Sequence, residues 1–141
     1  MIKKLCSNAV STATVNIWVS SGSLNTPFYR FYTDSSGTSE LQQLIFDHSK
    51  SYTFRRLNEA SSHPFYLKSD RSNSGGTNGY SLSGEGSPSN GIKGDESFTL
   101  SFNDPNQAPA MLVGYCTMHP SMQTTWSINL SPQPEPEPNP T

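Results

Sequence analysis

Along most of its middle the chain alternates hydrophobic and polar positions with a period of two. Val15, Ile17 and Val19 share one face of TVNIWV; Phe28, Arg30 and Tyr32 alternate with Tyr29 and Phe31; Leu41, Gln43 and Ile45 alternate with Gln42, Leu44 and Phe46. YTFRRL from Tyr52, HPFYLKS from His63, SFTLSFN from Ser97, MLVGYC from Met111 and WSINL from Trp126 follow, which makes eight predicted strands. Turn-forming residues separate them: Ser36 with Gly37, Asp47 to Lys50, and Asn103 to Pro105. No segment holds a helical period, and there is no internal repeat. The pattern predicts one all-β Greek-key sandwich over residues 13–130, with Trp18, Tyr29, Phe54, Phe98, Phe102 and Trp126 as core or interface aromatics. TVNIWV and WSINL carry no Lys, Glu or Pro, so they read as poorly guarded sheet edges that another subunit would cover.

The ends differ from this middle. Residues 1–12 read as a polar leader, and residues 131–141 are SPQPEPEPNPT, with proline at every second position from Pro132 to Pro140. Such a tail cannot join a sheet or helix; it predicts an extended spacer or a ligand for a groove. Lys3 and Lys4 begin like a secretory signal, but Ser7, Asn8, Ser11 and Thr12 interrupt the apolar run that must follow, so no signal peptide is expected. No stretch approaches the roughly 18 apolar residues of a membrane span. The long polar connection 69–96 predicts a flap over one face of the sandwich, with Tyr80, Leu82 and Ile92 anchoring it as a short edge strand.

Composition narrows the partners. Only 14% of residues are charged and the net charge is −2, so no basic surface is expected to hold nucleic acid. Catalysis is not expected either. There is no Gly-x-Ser-x-Gly or His-Glu-x-x-His, and Asp95 and Glu96 are neighbours that point apart.

The chemistry concentrates in Cys116-Thr117-Met118-His119-Pro120-Ser121-Met122, which places a thiolate, an imidazole and a thioether directly after an apolar strand. Two His and one Cys with a distant Met on the axis make a soft, nearly trigonal site suited to copper, with zinc as a less suited occupant. The second imidazole must come from elsewhere. His63 fits, in phase with Phe65 and Leu67, as Cys116 is in phase with Leu112; His48 sits in a polar turn and is left out. Cys6 has no ligand pattern around it and is expected to be a free thiol. A Cys6–Cys116 disulfide would exclude the metal site.

With a histidine after a strand and turn, and Cys-x-x-His-x-x-Met more than fifty residues later, the chain resembles the cupredoxins. The ligand loop is similar to that of the amicyanins, which also reads Cys-Thr-x-His-Pro-x-Met. The resemblance implies equatorial ligation by His63, Cys116 and His119, axial contact from Met122, and one-electron transfer through the exposed edge of His119. It also implies a supporting place for Asn58, while Pro64 departs from the pattern by removing an N–H that could reach the thiolate. SSHPFYLKS, GDESFTLSF and YCTMHPSM also resemble short β modules from virion structural proteins of tailed phages of marine cyanobacteria. That second resemblance implies a structural or decoration module in a virion, docked on other virion proteins or on copies of itself, with a copper-competent site. The alternative is a small blue-copper electron carrier, periplasmic or extracellular, with a redox protein as partner.

Overall fold

A computed structural model describes residues 13–69, 79–103 and 109–129. The leader with Cys6, the middle of the 69–96 connection and the proline tail lie outside the described residues.

Among the described residues nine strands follow one another: β1 (Thr14–Val19), β2 (Phe31–Tyr32), β3 (Ile45–Asp47), β4 (Ser51–Arg56), β5 (Phe65–Lys68), β6 (Tyr80–Gly84), β7 (Ser97–Phe102), β8 (Met111–Cys116) and β9 (Gln123–Asn129). They form two sheets, of order β3-β9-β8-β5 and β2-β1-β4-β7-β6, so the all-β sandwich expected from alternation is what the chain forms. Between β4 and β5, Leu57–Glu59 make one tight turn in which Asn58 and Glu59 take left-handed backbone (φ 56° and 52°). Among the described residues no helix is long and apolar enough to cross a membrane.

Two corrections concern the edges. TVNIWV is β1, and it lies between β2 and β4; Trp126–Asn129 of WSINL belong to β9, between β3 and β8. Neither strand is an edge, and the reason is parallel pairing between distant segments: Thr14 to Val19 align with Ser51 to Arg56, and Ser127 to Asn129 with Ile45 to Asp47. The edges fall instead on β2, β3, β5 and β6. On β5, Lys68 places its ammonium over the Tyr115 ring, 4.5 Å from the centroid, a charged residue of the kind that discourages edge pairing. The alternating stretches at 28–32 and 41–46 yield only β2 and β3, because residues on either side of them turn away. The edge strand foreseen around Tyr80 and Leu82 is β6, whereas Ile92 joins β5 through an isolated bridge to Phe65.

The core lies between the sheets and is largely aromatic. Phe46 stacks on Trp126 at 4.3 Å, and Phe31 and Phe54 meet the same indole edge-on at 4.9 and 5.8 Å. Phe65 packs against Phe54 and Phe98, which continues the cluster toward the end of β5 and β8. Trp126, Phe54, Phe98 and Tyr29 are thus core as expected, Phe102 packs against the core's margin, and Trp18 is half-buried on the outer side of β1. This aromatic floor is what the site rests on.

Candidate metal centre

Cys116 is the last residue of β8, fully buried, and opposite Phe65 in the β5–β8 register. The chain then turns back on itself within seven residues. His119 N–H donates to the Cys116 carbonyl (3.2 Å), Met122 N–H to the His119 carbonyl (2.8 Å), and Cys116 N–H to the Met122 carbonyl (3.2 Å). Pro120 suits the tight turn because its ring presets the backbone. The loop thus presents His119 to solvent and encloses Met122 completely.

His63 arrives differently. It lies two residues before β5, with a left-handed backbone (φ 51°), so its place is set by a turn rather than by the strand alternation anticipated for it. A non-glycine residue there is strained by about 1 kcal/mol or more and needs outside support. Tyr29 Oη donates to the His63 carbonyl at 2.7 Å. Gly22, itself at φ +91°, lies against both: a Cβ there would stand 3.0 Å from the Tyr29 ring and 3.1 Å from His63 Cβ. Pro64, buried, accepts the Thr117 N–H at 3.0 Å and so ties the His63 turn to the Cys116 loop. Asn58 is exposed in the turn at Leu57–Glu59, with φ 56°, a conformation asparagine tolerates.

The three side chains converge. His63 Nδ1 is 3.8 Å and His119 Nδ1 3.6 Å from Cys116 Sγ, and the three donor atoms all lie within 4.8 Å of one another. A metal ion with bonds of about 2.0 Å to nitrogen and 2.3 Å to sulfur, at angles between tetrahedral and trigonal, separates the sulfur from each nitrogen by about 3.5–3.7 Å. The residues present therefore fit one soft ion. No family model matches the chain, and neither any curated protein nor any solved structure matches it. The structure is a strand-rich β fold with a His/Cys/His site, compatible with a cupredoxin-like sandwich. His48 lies outside the group, in the turn after β3.

The surroundings tune these groups. Burial first, then the neighbouring His119 and Arg56, hold the His63 imidazole below its ordinary value, which favours the neutral, metal-ligating form. Burial, and then the Cys116 sulfur, push the Tyr29 phenol far up, so it remains a hydroxyl donor. Two contributors went unnoticed in the sequence. Arg56 is only 3% exposed; its signal was there, in phase with Tyr52 and Phe54 on the inward face of YTFRRL. The other is the strap Gly91–Ile92, which exchanges backbone hydrogen bonds with Phe65 (3.2 and 2.9 Å) while Gly91 N–H donates to Thr117 Oγ1 at 3.0 Å. No local pattern announces that contact, because its partners are 26 residues apart.

Proposed function

We propose that the protein binds one copper ion, which His63, Cys116 and His119 would hold with the buried Met122 thioether as a further soft donor, and carries single electrons between redox proteins. The observation that carries this reading is the placing of Cys116 Sγ at 3.8 and 3.6 Å from the two imidazole Nδ1 atoms. Soft thiolate and thioether donors with two imidazoles favour copper over zinc, which makes no use of a weak axial sulfur. Copper supplies a couple that gains or loses one electron with no covalent bond made elsewhere, the electron coming from a reduced redox protein and passing to an oxidised one.

The chain's residues divide the work. Cys116, buried, provides the thiolate in a water-poor place, and the aromatic floor of Phe65, Phe54 and Phe98 keeps solvent from beneath it. His63 and His119 would supply imidazole nitrogens held by separate backbone contacts, so little needs to move when the charge of the site changes. His119 is exposed, which makes its outer edge the shortest route for an electron between the site and a docked partner.

The test is optical. Cu(II) added to the purified protein with Cys116 reduced gives an intense visible thiolate-to-copper absorption, absent in Cys116→Ser and weakened in His119→Ala. Met122→Leu retains the band with a shifted reduction potential. A wild-type protein that stays colourless with Cys116 free and reduced sinks the copper reading.

A further inference from the structure

Arg56 closes β4 with its side chain directed inward, where Tyr52 and Phe54 also point, and it is buried against the site. Its guanidinium makes four hydrogen bonds to backbone carbonyls. Nη2 donates to the carbonyls of Ser20 (2.7 Å) and Ser62 (3.0 Å), Nη1 to Ile92 (3.0 Å), and Nε to Val19 (3.5 Å). These carbonyls belong to three separate segments: the end of β1, the turn that leads into His63, and the strap behind Phe65. One planar fork therefore holds the whole His63 side of the centre, which a flexible ammonium could not span.

The charge itself remains uncompensated by any carboxylate. Among the described residues the ion pair is Arg30 with Glu40, elsewhere on the surface. Glu59, Asp95 and Glu96 line a cleft that reaches Arg56 from the side of Trp18, but none pairs with it. Carbonyl oxygens satisfy hydrogen bonds without cancelling a positive charge, and a buried cation is costly to the fold unless something anionic faces it. The titratable groups around it, Tyr29, Cys116 and His63, all belong to the site: burial lowers the guanidinium from its ordinary value, Tyr29 and Cys116 act in the opposite sense, and the guanidinium in turn lowers His63. An apolar side chain of the same volume would leave those carbonyls without their donor, so the residue's work lies at the turn that carries His63.

We propose that Arg56 is a positioning residue of the metal centre: it fixes the turn that carries His63 and, through its bond to the Ser62 carbonyl, sets a permanent positive charge directly behind that ligand, which favours the cuprous state over the cupric. The proposal rests on the copper reading above. A fixed cation disfavours the oxidised state, which carries one more positive charge, so the reduction potential is higher with Arg56 than with a neutral residue.

Copper-loaded full-length wild type, Arg56→Met and Arg56→Lys separate the two tasks. Arg56→Met lowers the midpoint potential. Arg56→Lys keeps the potential near that of the wild type but loosens Cu(II) binding about tenfold, because a single ammonium cannot reach all the carbonyls that the fork holds. A folded Arg56→Met protein with unchanged potential overturns the proposal, as does an Arg56→Lys protein that binds Cu(II) as tightly as wild type. Should Arg56→Met fail to fold, nitrogen-labelled arginine in the wild type decides: the Arg56 Nε–H exchanges slowly and its resonance shifts between metal-free and cuprous protein, whereas rapid exchange with no shift refutes the role. Wild type that takes up no copper overturns the metal reading and this proposal with it. Copper uptake with unresponsive variants overturns this proposal alone.

Discussion

The two halves of the centre are built by different means. The Cys116–Met122 loop is held mainly by its own backbone, three hydrogen bonds within seven residues, with ties outward at Thr117 to Pro64 and Gly91. The His63 half has almost nothing local. Its carbonyl is held by Tyr29, the preceding carbonyl by Arg56, its ring side by Gly22, and the following strand by the strap at Gly91–Ile92. A ligand supported locally depends on a short motif, whereas one supported remotely depends on the whole sandwich being closed. The centre is therefore as much a reporter of the fold as a feature of one loop.

The contrast can be broken hardest at Gly91. A Cβ there would lie 2.5 Å from Phe65 N and 2.6 Å from the Pro64 carbonyl carbon, both backbone atoms that cannot swing aside. Gly91→Ala is expected to cost about 3 kcal/mol, at the upper end for overpacking, and to release His63 while the Cys116 loop survives. Thermal melting and copper titration check this; a variant with unchanged melting and affinity would mean that the strap does not support the site. Tyr29→Phe is gentler. Losing the hydroxyl donor to the His63 carbonyl is expected to cost about 1 kcal/mol and to weaken copper binding about fivefold, read by thermal melting and copper titration. Unchanged affinity would show that Tyr29 does not hold the His63 turn.

The smallest effect serves as the reference. Asp34 accepts hydrogen bonds from Ser36 Oγ (2.6 Å), the Thr38 hydroxyl, and the Thr38 and Ser39 N–H groups (3.0 and 2.9 Å), and these hold its carboxyl far below the usual carboxylate range, the Ser36 bond first. A carboxyl with a lowered folded-state value stabilises the protein above its unfolded value of about 3.9, and that contribution fades as pH falls below it. Asp34→Asn is thus expected to flatten the acid limb of a stability–pH curve below about pH 4 and to leave copper binding unchanged. A copper affinity that moved with Asp34 would tie this turn to the centre after all.

Legibility in the sequence follows the same division. Residues within one segment were readable: TVNIWV, YTFRRL, SFTLSF and MLVGYC are strands because alternation is a local property, and Cys116 with His119 is visible as spacing. Pairings between segments were not. β1 lies beside β4 and β9 beside β3 in parallel, so the two strands with the least guarded sequences are interior, and their lack of charge suits that position. His63 was found through the chemistry that Cys116 demands, yet its left-handed backbone left no mark that periodicity could reveal. Arg56 was concealed by its own residue type: a charge in phase with Tyr52 and Phe54 reads as exposed until the carbonyls that receive it are known.

The central place of β9 in its sheet has a consequence for the order in which the chain can mature. Until residues 123–129 have left the ribosome, β3 has no neighbour, β8 pairs only with β5, and Trp126 is missing from the faces of Phe46, Phe31 and Phe54. The five-stranded sheet can assemble early, but its inner aromatic surface stays uncovered through most of translation. Closure is therefore a late event dominated by contacts distant in sequence, and a nascent or truncated chain lacking β9 presents an aromatic face open to aggregation.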